Sequence, residues 1–230
     1  FQQWMDRFLC GACTEQFRAV RSPLCIQCGQ PFESSHGPDH TCGQCAKRPF
    51  RFSAARAAGL YEGALRTAIH QLKYQGRDTL AKPLGRLLWQ TLGRHWDPAQ
   101  IDRVVPVPLH PRRLRQRGFN QACALVQEWP RLAERQAVKV AGDWIDPRML
   151  RRLRPTPPQT GLPREQRVTN MTRAFEVDGR RGSHPLQAQR VLLVDDVMTT
   201  GTTADACAQT LLAAGAAEVR VLTLARAVTT

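Results

Sequence analysis

Three observations predict an α/β protein: a mainly parallel sheet flanked by helices, with a small N-terminal zinc-binding segment. Strand-like and helix-like patterns alternate from about residue 54 to the end of the chain. One apolar run, Val191-Leu192-Leu193-Val194, leads into a carboxylate pair and a Thr/Gly loop. Six of the eight cysteines lie in the first 50 residues, spaced as CxxC pairs. Strands that alternate with helices build parallel sheets covered on both faces, because each crossover helix needs a sheet face on which to bury its apolar stripe.

The first 50 residues hold few aliphatic side chains, the turn-formers Ser34-Ser35-His36-Gly37-Pro38, and no apolar period that could build a core. Such a segment needs a staple, and metal is the expected one. Cys10/Cys13, Cys25/Cys28 and Cys42/Cys45 all have the knuckle spacing, in which two thiolates on a tight turn chelate one Zn²⁺ and two turns complete a tetrahedron. Gly29 relieves the turn after Cys28, and thirteen residues separate Cys28 from Cys42, a span suited to a small ribbon. Cys25, Cys28, Cys42 and Cys45 are therefore expected to form one structural site. Cys10 and Cys13 are weaker candidates, either needing a further pair or competing for the same metal. His36 and His40 are alternative ligands if they are not simply solvated, and a redox CxxC is disfavoured by the presence of three pairs. A structural zinc supplies roughly 10–16 kcal/mol of apparent binding energy, enough to fold a coreless segment.

After Pro49 the elements follow in order. Residues 54–61 read as a strand, and 65–74 and 80–95 as helices separated at Gly76. Residues 104–109 (VVPVPL) read as a buried strand end whose prolines stop pairing. Residues 119–137 form a helical pattern interrupted or kinked near Pro130. A long loop, RPTPPQTGLPREQR, leads to residue 167. The chain then predicts a strand at 190–194, a helix at 203–214 capped by Gly215, and a strand at 218–225. Cys123 and Cys207, on predicted helices, read as small buried hydrophobes.

At 42% hydrophobic and 23% charged, the 230-residue chain is globular rather than disordered. No apolar run nears the ~20 residues needed to span a bilayer, and FQQWMDRFLC is too short an apolar stretch for a signal peptide. CxxC pairs suit a reducing compartment, so a cytoplasmic location without membrane insertion is expected. The net charge is +14, and residues 103–167 carry fourteen Lys/Arg against five Asp/Glu. Such clustering suits a polyanion, either nucleic acid or a polyphosphate; the alternative is an Arg-rich solvated surface.

The loop after Val194 states the chemistry most directly. A strand–loop–helix turn aims free N–H groups and the positive end of a helix dipole at one point, which favours a phosphate. Gly201 allows close approach, and the hydroxyls of Thr199, Thr200, Thr202 and Thr203 add donors. Asp195 and Asp196 can accept hydrogen bonds from vicinal hydroxyls or hold Mg²⁺. Together these residues describe a cradle for ribose 5-phosphate; the alternative is an Asp-rich turn before a Thr-capped helix.

Over thirteen positions, Val191 to Thr203, the run resembles the phosphoribosyl pyrophosphate (PRPP) signature of type I phosphoribosyltransferases. Carried over, Asp195 and Asp196 meet the ribose hydroxyls as the catalytic pair, and Thr199, Thr200, Gly201, Thr202 and Thr203 wrap the 5-phosphate. The whole chain resembles the ComF (ComFC/GntX-like) family, through the cysteine pairs, Leu72-Lys73-Tyr74 with Gly76, Val105-Pro106-Val107-Pro108, Arg117-Gly118-Phe119-Asn120-Gln121, and Gln159 through Arg164, Arg167 and Asn170. Family members often carry a CxxC ahead of the first pair seen here.

The resemblance implies a zinc-ribbon segment (1–50) and a phosphoribosyltransferase-like domain (51–230), with structural Zn²⁺, and Mg²⁺ accompanying PRPP. It places the pyrophosphate side of the site at residues 105–108 and the loop beyond. Lys73, Arg112 and Arg117 are then PRPP contacts, while Arg113, Arg115, Arg164 and Arg167 are weaker candidates for nucleic acid. Lys73 has the alternative of a solvated helix face, and Asn120 that of a helix cap. Trp129, Trp144 and Phe119 lie in the basic stretch as base-stacking candidates or as core. The function implied is PRPP binding by a protein that handles single-stranded DNA during natural transformation, with DNA-uptake proteins as partners. The alternatives are transfer of ribose 5-phosphate to a nitrogenous acceptor, and a PRPP-sensing partner role.

Overall fold

A computed structural model describes residues 10–34, 36–74, 78–153, 174–178 and 186–228. Gly76 and the whole of the long loop, with Gln159, Arg164 and Arg167, and Asn170 beyond it, lie outside the described residues. Four parallel strands make the central sheet: β1 (Ala54–Leu60), β2 (Arg103–Pro106), β5 (Arg190–Met198) and β6 (Glu218–Arg226), in the order β1-β6-β5-β2. A two-stranded antiparallel ribbon, β3 (Leu150–Arg152) and β4 (Phe175–Val177), stands apart from it. The register pairs Asp195 with Thr223, Met198 with Arg226, and Arg103 with Val191.

The period-2 alternation of the strands sorts the core into two layers. Val191, Leu193, Val105, Val219 and Val221 face one layer, built from helix α8 (Thr202–Ala213), the β3/β4 ribbon and the knuckle cysteines Cys25, Cys28 and Cys45. Leu192, Val194, Val104, Leu222 and Leu224 face the other, built from α3 (Gly63–Tyr74), α4 (Ala81–His95), α6 (Gln121–Val126) and α7 (Trp129–Arg135). Trp89, Trp129 and Trp144 cluster there with centroids 5.6–6.1 Å apart. Trp129 and Trp144 are fully buried, and their Nε1–H groups donate to the Gly85 and Ile101 carbonyls. They are core residues, and the base-stacking alternative does not hold for them.

The helical run 119–137 is interrupted near Pro130, as predicted: it forms two helices, α6 and α7, because Pro130 sits in the first turn of α7 and has no N–H to continue the preceding turn. One predicted element differs. The strand predicted to stop at Val194 runs on to Met198, since β6 continues alongside it and supplies hydrogen-bond partners. Gly215 (φ +100°) follows α8 as predicted.

Both edges of the sheet are covered. Residues 18–29 of the Cys-rich segment lie along β1: Leu60 N–H donates to the Arg18 carbonyl, Val20 N–H to Ala58, and Ala55 N–H to Gln27. At the other edge Val104 exchanges hydrogen bonds with Trp144 and Asp146. Gly29 makes the contact at Ala55 possible: it has φ +66°, and a Cβ there would stand 2.3 Å from the Ala55 carbonyl oxygen.

Candidate functional site

Cys25, Cys28, Cys42 and Cys45 converge with their sulfurs within 4.8 Å of one another. Cys28 and Cys42 Sγ are 3.8 Å apart, the separation of about 3.8 Å that a tetrahedron with ~2.3 Å Zn–S bonds requires. The donor set itself asks for a cation. Burial works against ionising Cys25, but the N–H groups of Cys42, Cys28 and Gln27 aimed at its sulfur outweigh that and bring the thiol down to about 6. Burial and the negative charge of neighbouring sulfurs push Cys28 and Cys45 up. Four thiolates share this space only with a dication among them, so these residues fit Zn²⁺. His40 is engaged elsewhere, stacked on Phe32 at 3.9 Å. Cys10 is the N-cap of the short helix α1 (Gly11–Glu15) and Cys13 lies within it, both outside the four-sulfur cluster.

The second centre lies at the carboxyl end of β5. Because β5 remains a strand through Met198, Asp195 and Asp196 turn to opposite faces. Asp196, 4% exposed, pairs through Oδ1 with Lys73 Nζ at 2.8 Å, at the last turn of α3. Its Oδ2 is buried with no hydrogen-bond partner among the described residues. Asp195 Oδ1 accepts the Asp196 N–H at 2.8 Å. Burial, then the Asp196 charge, push its carboxyl up to about 7, against the pull of Lys73.

Beyond Met198 the chain closes a small cavity lined by Asp195, Val197, Thr199, Thr200, Gly201, Thr202, Thr203 and Thr223. Gly201 (φ +79°) is the N-cap of α8 and offers no side chain to its N–H groups, leaving the first turn to an outside acceptor. The Thr200 and Thr202 hydroxyls are 2.8 Å apart. An orphaned buried carboxylate oxygen, a neighbouring carboxyl raised towards neutrality and an uncapped helix end fit a polyhydroxylated phosphate ester with its Mg²⁺.

A cavity of about 400 Å³ is lined by Lys73, Tyr74, Arg113, Gln116 and Arg117. Helix α5 (Pro111–Arg117), capped by His110, presents Arg113 and Arg117 there. Arg117 donates to Gln121 Oε1 at 2.6 Å and lies over the Tyr74 ring at 5.2 Å. Arg112 and Arg115 are exposed on the same helix but do not line this cavity. Asn120 caps α6, accepting from Ala122 N–H and donating to the Val107 carbonyl. Phe119 is half-buried, beside a second cavity of about 480 Å³ that also touches half-buried Cys123. Burial pushes the Cys123 thiol up to about 11, and Cys207 is fully buried beneath Asp195.

Two arginines escaped the sequence reading. Arg152, on β3, brings its positive charge towards both Asp195 and Arg113. Arg226, 3% exposed at the end of β6, donates to the Met198, Thr199 and Ala227 carbonyls and to Gln30 Oε1. The available signal was an arginine closing the otherwise apolar stretch Val221-Leu222-Thr223-Leu224-Ala225, at the strand end where ligands bind such sheets.

Comparisons with known proteins agree with this layout. The phosphoribosyl transferase domain model matches residues 156–229, and the double zinc ribbon domain model matches 4–46. DNA utilization protein YhgH of Escherichia coli K12 is 36% identical over 221 residues, covering 95% of this chain and 90% of its own. Competence protein F of Haemophilus influenzae is 30% identical over 95% of this chain and 90% of its own. Competence protein ComFC of Bacillus subtilis is 22% identical over 96% and 85%. The ribbon match and the four-sulfur cluster together identify a structural zinc site.

Proposed function

Because the chain belongs to the ComF (ComFC/GntX-like) family, a zinc ribbon joined to a phosphoribosyltransferase-like domain, we propose that it binds PRPP with Mg²⁺ at the end of β5 and handles single-stranded DNA along the adjoining basic face. The observation that carries this reading is the continuity of the two surfaces: Lys73 pairs with Asp196 and also lines the cavity of Arg113 and Arg117. Asp195, Asp196 and the loop of Thr199, Thr200, Gly201, Thr202 and Thr203 hold the ribose phosphate. Mg²⁺, when bound, neutralises the pyrophosphate and the carboxylates. Lys73, Arg113 and Arg117 face the pyrophosphate, with Arg112 and Arg115 extending the positive surface. The names of the relatives, DNA utilization and competence proteins, support the DNA role. Residues 1–50 act as the ribbon and 51–230 as the catalytic-type domain, in a reducing cytoplasm suited to thiolate ligation.

The same site supports a second reading, phosphoribosyl transfer, because the carboxylate pair stands beside a cationic cavity. A nitrogen acceptor displaces pyrophosphate from C1, and the C1–O electron pair leaves with the pyrophosphate. Positioning and charge neutralisation suffice, and no protein nucleophile is needed. The deciding experiment is fluorescence anisotropy of a labelled single-stranded oligonucleotide titrated with zinc-loaded protein near physiological salt, with and without PRPP and Mg²⁺. Binding that PRPP displaces is the expected result. Absence of binding rejects the DNA role for the isolated protein and directs attention to pyrophosphate release with nitrogenous acceptors.

A further inference from the structure

We infer that Gln27, Gln30 and Arg226 are positioning residues that couple the zinc knuckle to the phosphate loop, so that metal occupancy sets PRPP affinity. This inference rests on the PRPP reading above. Two threads leave the four-cysteine cluster, and both end on residues 198–205.

The first begins at Gln27, between the ligands Cys25 and Cys28. Its Nε2 donates to the carbonyls of Phe50 (3.1 Å) and Phe52 (3.3 Å), while its Oε1 accepts the Phe50 N–H (3.2 Å). Those bonds fix the segment at 50–52. The Phe50 ring then fills the space beside Gly201, where a Cβ would stand 3.0 Å from it. The next residue, Arg51, donates its N–H to Asp205 Oδ1 in the first turn of α8 at 2.6 Å. The knuckle thus holds both the floor of the loop and the start of the helix whose N–H groups face the anion.

The second begins at Gln30, two residues after Cys28. Its Oε1 accepts from Arg226 Nη2 at 3.2 Å. Arg226 in turn donates through Nη1 to the Met198 and Thr199 carbonyls, the backbone entering the loop. Arg226 is buried between ribbon and loop, so its guanidinium is held in place by these acceptors rather than by water. A buried charged hydrogen-bond donor of this kind is strongly directional, and losing one acceptor displaces it from the others.

The metal enters because the knuckle's shape depends on it. The four sulfurs lie within 4.8 Å of one another, and a cation among them ties the two knuckle turns together; without it Gln27 and Gln30 move with the turn that carries them. Coupling between two binding sites is reciprocal, so PRPP must tighten zinc by the factor that zinc tightens PRPP.

The test uses the full chain. PRPP–Mg²⁺ affinity is measured by calorimetry on zinc-loaded wild type, Gln27→Ala, Gln30→Ala and Arg226→Gln, each with its zinc content determined. In parallel, hydrogen exchange of the amides at 199–205 is followed in ligand-free protein, zinc-loaded and partly chelated. The expected result is a three- to tenfold weaker PRPP affinity in each Gln→Ala variant at full zinc content, and about tenfold or more in Arg226→Gln. Loop amides should exchange at least several-fold faster in Gln27→Ala and after chelation. Should Arg226→Gln fail to fold, the two Gln→Ala variants carry the test. Full-zinc variants that match wild type in PRPP affinity and in loop exchange overturn the coupling. If wild type binds no PRPP, the ligand reading fails, and the exchange data alone decide whether knuckle and loop are coupled.

Discussion

On the face of the sheet packed by α3 and α4, Asp196 is nearly sealed from solvent and pairs with Lys73. On the opposite face, one residue earlier, Asp195 lies near Cys207 with no cation in direct contact among the described residues, and burial and the Asp196 charge push its carboxyl up to about 7. Identical side chains on adjacent positions have met burial in two ways, one by an ion pair and one by a carboxyl raised above its ordinary range. The difference comes from strand alternation, which gives each carboxylate a different layer of neighbours. It teaches that the two carboxylates are not equivalent: one has a lysine counter-ion in place and the other is held by burial and its neighbour's charge above the ordinary carboxylate range.

Removing Lys73 is the strongest way to break this contrast. Lys73→Met leaves a buried carboxylate without its cation, a change that costs about 3–5 kcal/mol. Thermal denaturation of the ligand-free protein should show it, and adding Asp196→Asn should restore most of the loss. A single variant as stable as wild type would mean that the pair is effectively solvated.

Asp195→Asn probes the other face, and its sign follows from the raised carboxyl. The folded protein holds this proton more tightly than the unfolded chain does, so wild type loses stability as pH rises from about 4 towards 7. The Asn variant lacks that decline. It should match wild type near pH 4 and exceed it by on the order of 2 kcal/mol at pH 8. Parallel melting curves across that range would show that Asp195 is not strained by its charge.

A smaller effect is expected at the loop both carboxylates serve. Gly201→Ala forces an L side chain into left-handed backbone against Phe50 and Met198, at a cost of about 1–2 kcal/mol. PRPP affinity should fall about tenfold while far-ultraviolet circular dichroism is unchanged. Smallest of all is the exposed pair Asp102–Arg190. Its hydrogen bonds with Arg190 lower the Asp102 carboxyl, so its contribution is present above the ordinary carboxylate range and is lost as pH falls through the lowered value. Asp102→Asn should cost under about 1 kcal/mol at neutral pH, because solvent screens the pair.

Much of this architecture was legible in the chain. The apolar strands, the four-cysteine set, the Asn120 cap and the Gly215 stop each follow from local patterning that the structure reproduces. What escaped depends on partners distant in sequence. β5 passes Val194 because β6 runs beside it, and nothing in the residues 195–198 announces that. Gln27 and Gln30 look like ordinary polar positions between knuckle cysteines, and their importance appears only when Phe50 and Arg226 arrive from 23 and 196 residues away. Arg152 likewise reaches Asp195 only through the β3/β4 ribbon.

The docking of Gly29 on Ala55 also bears on the fate of the protein when metal is scarce. β1 is the outer strand of a parallel sheet, and residues 18–29 shield its unpaired amides and carbonyls. An uncovered strand edge is a template for pairing with another chain. Zinc starvation is therefore expected to do more than loosen the knuckle that completes one core layer: it uncovers an adhesive border on the sheet, and the metal-free protein should be lost to self-association.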